Sequence, residues 1–374
     1  MYIYADNAAT TKTSQAAIKA MNECMEDFYG NPSSLHSVGQ RAAEKLLQAR
    51  MDVAECLGAD FKEIYFTSGG SEADNQAIVS AATFGAKKGK KHIISTKIEH
   101  HAVLHTLAKL EKQGFEVTLL DVNEKGEVDP KAVEDAIRED TALVSIMYAN
   151  NEIGTVEPIK ELVDTAKKSG ALFHTDAVQA VGHIPIYANE TGFDFLSASA
   201  HKFNGPKGIG FLYYRGGDIL QPFTDGGAQE FGMRAGTENV AAIVGMAEAL
   251  KWNTEFMTAN TAHLDRLTEV FLDGIKSIDY LFNGDPVNRL PGNINISIRG
   301  KSGEGLLHLL DLKGIMISTG SACDSVNTQV SHVVQAIGVD KNYAEGTIRI
   351  TFGHENTEEE ARTLAATLIQ LVKM

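Results

Sequence analysis

The chain is 374 residues long and acidic, with 34 Lys and Arg against 49 Asp and Glu and a net charge of −15. That balance excludes nucleic acid as the main partner, because phosphate binding needs a basic surface. No apolar run reaches the ~20 residues of a membrane span, and the first residues lack the basic-then-apolar order of a secretory leader.

The length is enough for two domains. Three cysteines, Cys24, Cys56 and Cys323, do not make a disulfide framework. Cys24 and Cys56 fall in helix-like stretches and read as small apolar residues. A reducing cytoplasm is the expected setting.

From Lys12 to Leu250 short apolar runs alternate with helical periodicity. The runs predict strands at 63–67, 92–95, 116–120, 143–148, 172–175, 195–197 and 209–213. Helices are predicted between them at 71–86, 101–113, 130–139 and 158–169. Such alternation implies an α/β fold with a mostly parallel sheet covered on both faces. After a long helical region at 239–278, strands return at 294–298, 315–318 and 347–351, with helices at 303–312 and 358–373. This tail reads as a second, smaller α+β domain.

In open parallel sheets, ligands bind at the carboxyl ends of the strands, and polar residues gather at several of those ends. Thr67-Ser68-Gly69-Gly70-Ser71-Glu72 joins a strand to a helix, so glycine backbone and a helix N-terminus can meet a phosphate there. The stretch lacks the lysine of a Walker loop and the spacing of a dinucleotide fingerprint. Its plain alternative is a helix cap, Ser71 with Asp74 three residues on. His100 and His101 open the next helix, with His105 one turn beyond. His101 and His105 share a face without the spacing of a zinc protease motif. His100 reads as a ring that stacks on a planar cofactor, His101 and His105 as surface residues. Asn150 and Asn151 follow the strand at 143–148 as orientation groups.

Phe173-His174-Thr175-Asp176 closes another strand, with Gln179 three residues further. A carboxylate there can keep a pyridine nitrogen protonated, which makes the ring an electron sink, or it can simply cap the next helix. The run Ser199-Ala200-His201-Lys202-Phe203-Asn204-Gly205-Pro206-Lys207-Gly208 follows the strand at 195–197. A lysine at the lip of a buried strand loses solvation, which favours the neutral amine that condenses with an aldehyde. Small Ser199 and Ala200 leave room for a flat ring, and Gly205, Pro206 and Gly208 read as a turn. Gly226-Gly227-Ala228-Gln229-Glu230, followed by Arg234-Ala235-Gly236-Thr237, suits an anion site or a subunit contact. Ser318-Thr319-Gly320-Ser321-Ala322-Cys323 sets a thiol among small polar neighbours, where a packing role has no support and the residue reads either as an incidental loop cysteine or, with a base or cation near, as a nucleophile. No third ligand at suitable spacing joins His174 and Asp176, so no metal is expected.

Taken in order, and with Tyr4-Ala5-Asp6-Asn7-Ala8-Ala9-Thr10-Thr11, Gly30-Asn31-Pro32-Ser33-Ser34 and Thr347-Ile348-Arg349-Ile350-Thr351, these segments resemble the pyridoxal-phosphate-dependent cysteine desulfurases. These are the enzymes of the iron–sulfur-cluster-assembly and nitrogen-fixation branch within the class V aminotransferases. The likeness runs nearly the whole chain, and the Gly-Ser-Ala-Cys loop separates this branch from its relative with a shorter loop.

The resemblance implies a fold-type I transferase. Its large domain, residues 12–255, would hold a seven-stranded, mostly parallel sheet, and residues 1–11 with 256–374 would form the small domain. It implies Lys202 as the lysine bonded to pyridoxal 5'-phosphate, Asp176 at the pyridine nitrogen and Gln179 at the ring hydroxyl. His100 stacks on the ring and relays protons. Gly70, Ser71, Ser199 and His201 hold the phosphate, with Thr237 reaching in from the second subunit of a homodimer. Asn151 and Arg349 bind the carboxylate of L-cysteine, and Cys323 takes the sulfur as a persulfide and passes it to an acceptor protein, leaving L-alanine.

Lys202 and Asp176 alone would also serve an aminotransferase, an aldolase or a selenocysteine lyase; Cys323 argues against the first two. The chain departs from the family where Ala228, Gln229 and Phe231 stand at positions that often carry glycine, histidine and arginine. The sequence ends at Met374, where many cluster-assembly members continue with a tail that helps dock a scaffold, so the resemblance leaves open the acceptor served.

Overall fold

A computed structural model describes residues 2–320 and 330–373. Its strands in chain order are β1 (Ile3–Tyr4), β2 (Ile64–Thr67), β3 (His92–Thr96), β4 (Glu116–Leu120), β5 (Thr141–Ser145) and β6 (Leu172–Asp176). They continue with β7 (Phe195–Ser199), β8 (Gly210–Tyr214), β9 (Tyr280–Phe282), β10 (Asn293–Ile298), β11 (Ile315–Met316) and β12 (Thr347–Thr351).

Seven of these form one sheet in the order β2-β8-β7-β6-β5-β3-β4. The pairs β3–β4, β3–β5, β5–β6 and β6–β7 are parallel. Only β8 runs the other way, antiparallel to β7 and to β2. Six strands therefore deliver their C-terminal residues to one edge, and β8 begins there, with Gly210 in register with both Ser199 and Thr67.

The apolar runs read as strands because both faces of the sheet are covered. Alternate residues go to opposite sides: Ile93, Leu143, Phe195 and Leu212 pack with Ala73, Ala77 and Ala81 of helix Gly70–Ala86. Ile94, Val144, Leu196 and Phe211 face a larger cluster built with Leu162, Val163, Ile243 and Met246. A separate cluster gathers Ile294, Ile296, Ile348 and Ile350 against helices Met257–Gly274 and Glu358–Lys373. These isoleucines belong to the antiparallel sheet β12-β10-β9. Ile3 and Ala5 join the same cluster, and β1 pairs with β11, so the first residues of the chain pack with its last third.

Three expectations shift. The strand expected at 143–148 is Thr141–Ser145, although the chain still runs beside β6, with Tyr148 N–H donating to Asp176 O at 2.8 Å. The helix expected at 130–139 stops at Ala136, where Ile137 turns extended. The region at 239–278 is two helices, Val240–Glu255 and Met257–Gly274, broken at Phe256. Edge strand β9 was not foreseen; it lies on the border of its sheet and is half-buried. Among the described residues, no helix is long and apolar enough to cross a membrane.

Candidate active site

The C-terminal ends of β2, β3, β5, β6 and β7 open onto a cleft of about 210 Å³. It brings together Lys202, Asp176, Gln179, His100, Gly70, Ser71, Ser199, His201, Asn151 and Arg349. Ala8, Ala9, Asp74, Met147 and Val178 complete its walls.

One end of the cleft is built for an anion. Helix Gly70–Ala86 is capped by Gly69, whose side carries no capping group, so its first N–H groups keep their capacity for a ligand. The plain-cap alternative for Ser71 therefore does not hold. Gly69 has φ +151°, a conformation that favours glycine. A Cβ on Gly70 would lie 2.5 Å from Val178 Cγ2. A Cβ on Gly210 would lie 2.8 Å from Gly69 Cα, so the loop can press against β8 because Gly210 carries no side chain. Ser199 and His201 border the same opening. His201 Nδ1 is 3.1 Å from Thr10 Oγ1. Burial, with the charges of Lys202 and Lys207, lowers the His201 pKa to about 4, so its ring is neutral.

Beyond that end lies the acid. Asp176, the last residue of β6, is buried, and Oδ1 accepts from Val178 N–H at 3.0 Å. Burial and then the charge of Asp74 push its carboxyl pKa up. His100 caps helix His101–Glu111 through Nδ1, which accepts from Ala102 N–H at 3.1 Å. That bond leaves the proton on Nε2. Lys202 ends the single turn after β7, and Nζ donates to Ala8 O at 2.6 Å and Ala9 O at 3.0 Å. Gln179 Nε2 donates to the same Ala8 carbonyl at 3.0 Å.

At the opposite wall Arg349, 1% exposed, donates through Nη2 to Asp6 at 2.8 Å and through Nη1 to Asn151 O at 3.0 Å. Its Nε is buried and has no partner among the described residues. The two asparagines part company here. Asn150 is a turn residue, its Oδ1 accepting from Glu152 and Ile153 N–H groups, whereas Asn151 lines the cleft.

One expected residue is not in the cleft. Thr237 is exposed outside it, and Cys323 lies outside the described residues. The described chain leading toward it is bound beside Arg349, since Ser318 and Arg349 exchange two backbone hydrogen bonds at 3.0 and 2.6 Å. His101 and His105 are not isolated on the surface: the His101 ring centroid is 5.0 Å from those of His105 and His332. Asp6, Ala8 and Ala9 were given no role by sequence reasoning, and Asp74 only that of a helix cap. The run Tyr4–Thr11 was noticed, but only its fold-back onto β12 and Lys202 gives it work.

A helix N-terminus pressed close by glycine, a buried carboxylate, a ring at the cleft wall and a lysine suit a flat, phosphorylated heteroaromatic aldehyde. The donor set fits pyridoxal phosphate.

Residues 3–364 match the aminotransferase class-V family. The chain is 46% identical over 372 residues to a cysteine desulfurase IscS of Methanosarcina thermophila, covering 99% of this chain and 92% of the relative. Among solved structures, a NifS-like protein superposes with a TM-score of 0.94 at 37% identity, covering all of both chains. SspA, solved in complex with cysteine, gives 0.84 at 35% identity, covering 95% of this chain and all of that one.

Proposed function

This chain belongs to the aminotransferase class-V family, among its pyridoxal-phosphate-dependent cysteine desulfurases, and on that premise we propose how its own residues divide the work. The observation that carries the reading is the single cleft shared by Lys202, Asp176, His100, Gln179 and Arg349, which come from separate parts of the chain. When bound, pyridoxal phosphate supplies an aldehyde for the amine and a protonated ring that takes up electron density from the substrate.

Lys202 would hold the cofactor covalently and yield its place to the amine of L-cysteine. Gly70 and Ser71 N–H groups with Ser199 and His201 would hold the phosphate, Asp176 would keep the ring nitrogen protonated, and Gln179 would meet the ring hydroxyl. His100 lies against the ring and, with Nε2 carrying the proton, serves as a proton relay. Asn151 and Arg349 fix the substrate carboxylate; the buried Arg349 Nε is a donor suited to it.

Cys323 thiolate attacks the sulfur of the substrate. The substrate C–S bond breaks, the new S–S bond leaves a persulfide on Cys323, and the carbon takes a proton to become L-alanine. Atoms and electrons balance with no outside oxidant or reductant. Ser318, tied to Arg349 five residues before Cys323, supports a route for the thiol to this cleft. We take residues 12–255 as the cofactor-binding domain and 1–11 with 256–374 as the small one, a division supported by the apolar cluster that joins Ile3 and Ala5 to residues of the last third alone.

We further propose a cytoplasmic homodimer that passes sulfur to an acceptor protein for iron–sulfur or thio-cofactor synthesis. Thr237 would complete the phosphate site of the other subunit: it is exposed, and the phosphate end opens outward between Thr10, Ser68 and Lys207. Exposed Tyr29, Leu35 and Phe231 offer apolar surface for such a contact.

The test is brief exposure of the enzyme to L-cysteine with peptide mass analysis. One added sulfur is expected on the Cys323 peptide and none on Cys24 or Cys56, with alanine and sulfide formed together once a thiol reductant is added. Sulfur on Cys24 or Cys56 would overturn the assignment.

A further inference from the structure

The scheme above leaves Asp74 without a task. It stands in the second turn of helix Gly70–Ala86, is 1% exposed, and lines the cleft with Asp176 and His100. One oxygen of each aspartate and a ring nitrogen of His100 all lie within 4.8 Å of one another. Asp74 Oδ1 has no hydrogen-bond partner among the described residues. His174 Nε2 is 3.5 Å from it, but that ring is engaged by Ser145 Oγ at 2.8 Å and Ser197 Oγ at 3.0 Å.

Two carboxyl groups this close, away from water, do not both ionise unless a cation answers each. The lysine and arginine of the cleft bond other groups, and the single His100 ring can answer only one of the two carboxylates. Lys202 Nζ bonds the Ala8 and Ala9 carbonyls, and Arg349 bonds Asp6 and Asn151. His174 is neutral, since burial drives its pKa down to about 4.

We propose that Asp74 is a positioning residue, a carboxylic acid that stays neutral and offers its proton as a hydrogen bond toward Asp176. The aspartate pair then carries one negative charge, placed on Asp176. At this separation, a side-chain rotation or one bridging water completes the contact. Burial acts in the same direction, raising the Asp74 pKa to about 7. The inference rests on the reading that Asp176 serves the ring nitrogen, and it deepens that reading.

Asparagine at this position keeps a donor without a proton to lose, and alanine keeps neither. The test compares cofactor-loaded parent, Asp74→Asn and Asp74→Ala by infrared difference spectroscopy and cofactor affinity near pH 6. The band of a protonated carboxyl should vanish in Asp74→Asn, while cofactor affinity stays within about threefold of the parent. Asp74→Ala should lose the same band and weaken cofactor retention about tenfold. An unchanged band in Asp74→Asn would mean that Asp74 is ionised, and equal losses in the two variants would remove the donor role; either result overturns the proposal. If instead Asp176→Asn left turnover and the ring spectrum untouched, the reading of Asp176 would fail, a separate outcome.

Discussion

Arg349 on β12 and Asp6, just past β1, are joined by an ion pair of 2.8 Å that closes one wall of the cleft with the two ends of the chain. Together with Asn151 O at 3.0 Å, this pair fixes the guanidinium before any substrate arrives. A charge-assisted hydrogen bond is commonly worth about 1.5–3 kcal/mol. Asp6→Ala should therefore raise KM for L-cysteine about ten- to hundredfold, with kcat much less affected. Steady-state kinetics decide it: a fall in kcat at unchanged KM would remove Asp6 from substrate positioning.

Lys202 is held by Ala8 O at 2.6 Å and Ala9 O at 3.0 Å, contacts that it must surrender to bond the cofactor. Lys202→Ala should lose turnover yet retain cofactor through the phosphate end and the Asp176 contact. Borohydride reduction of the parent followed by peptide mapping should mark Lys202. A mark on Lys207, which borders the outer opening of the phosphate end, would contradict the assignment.

Strand β7 and Lys202 were legible because burial on both faces turns a strand into an unbroken apolar run, and the lysine falls where that run ends. Asp176 was legible for the same reason. Asp74 was not: on a helix of alternating small and polar residues it looks like part of a cap, and only the neighbouring strands make it a buried acid. Asp6 was equally hidden, since its role depends on pairing with Arg349, 343 residues later in the chain. The break at Phe256 escaped notice because neither proline nor glycine marks it; Phe256 alone leaves helical geometry.

Glu157 should set a pH dependence of stability. It is buried, with one oxygen accepting from Val128 N–H at 2.9 Å and the other unpartnered among the described residues. Burial raises its pKa from 4.5 to about 8. The folded chain thus keeps a proton that the unfolded chain releases, and this residue's contribution to stability is lost as pH rises from 4.5 to 8. Glu157→Gln removes that slope. The difference in Tm between variant and parent should move in favour of the variant from pH 5 to pH 8. A difference that stays constant with pH would show that Glu157 ionises normally.

Arg50 and Glu230 test how the loop carrying Thr237 is anchored. Their side chains are 6% and 2% exposed and paired twice, at 2.6 and 2.7 Å, while Glu230 also accepts from Phe66 N–H of β2 at 2.8 Å. Glu230 and its neighbour Phe231 have φ of 48° and 57°, a conformation that costs non-glycine residues on the order of 1–3 kcal/mol each. The ion pair holds this strained turn against the strand that leads to the phosphate end. Removing one partner leaves the other buried and uncompensated, a loss of about 3–5 kcal/mol. Arg50→Ala should lower Tm by about 4–6 °C. Arg50→Met combined with Glu230→Gln should lower it less than the two single changes added together, because no lone charge is left behind. Simple additivity in thermal melts of the three variants would mean that the two residues do not act as a pair.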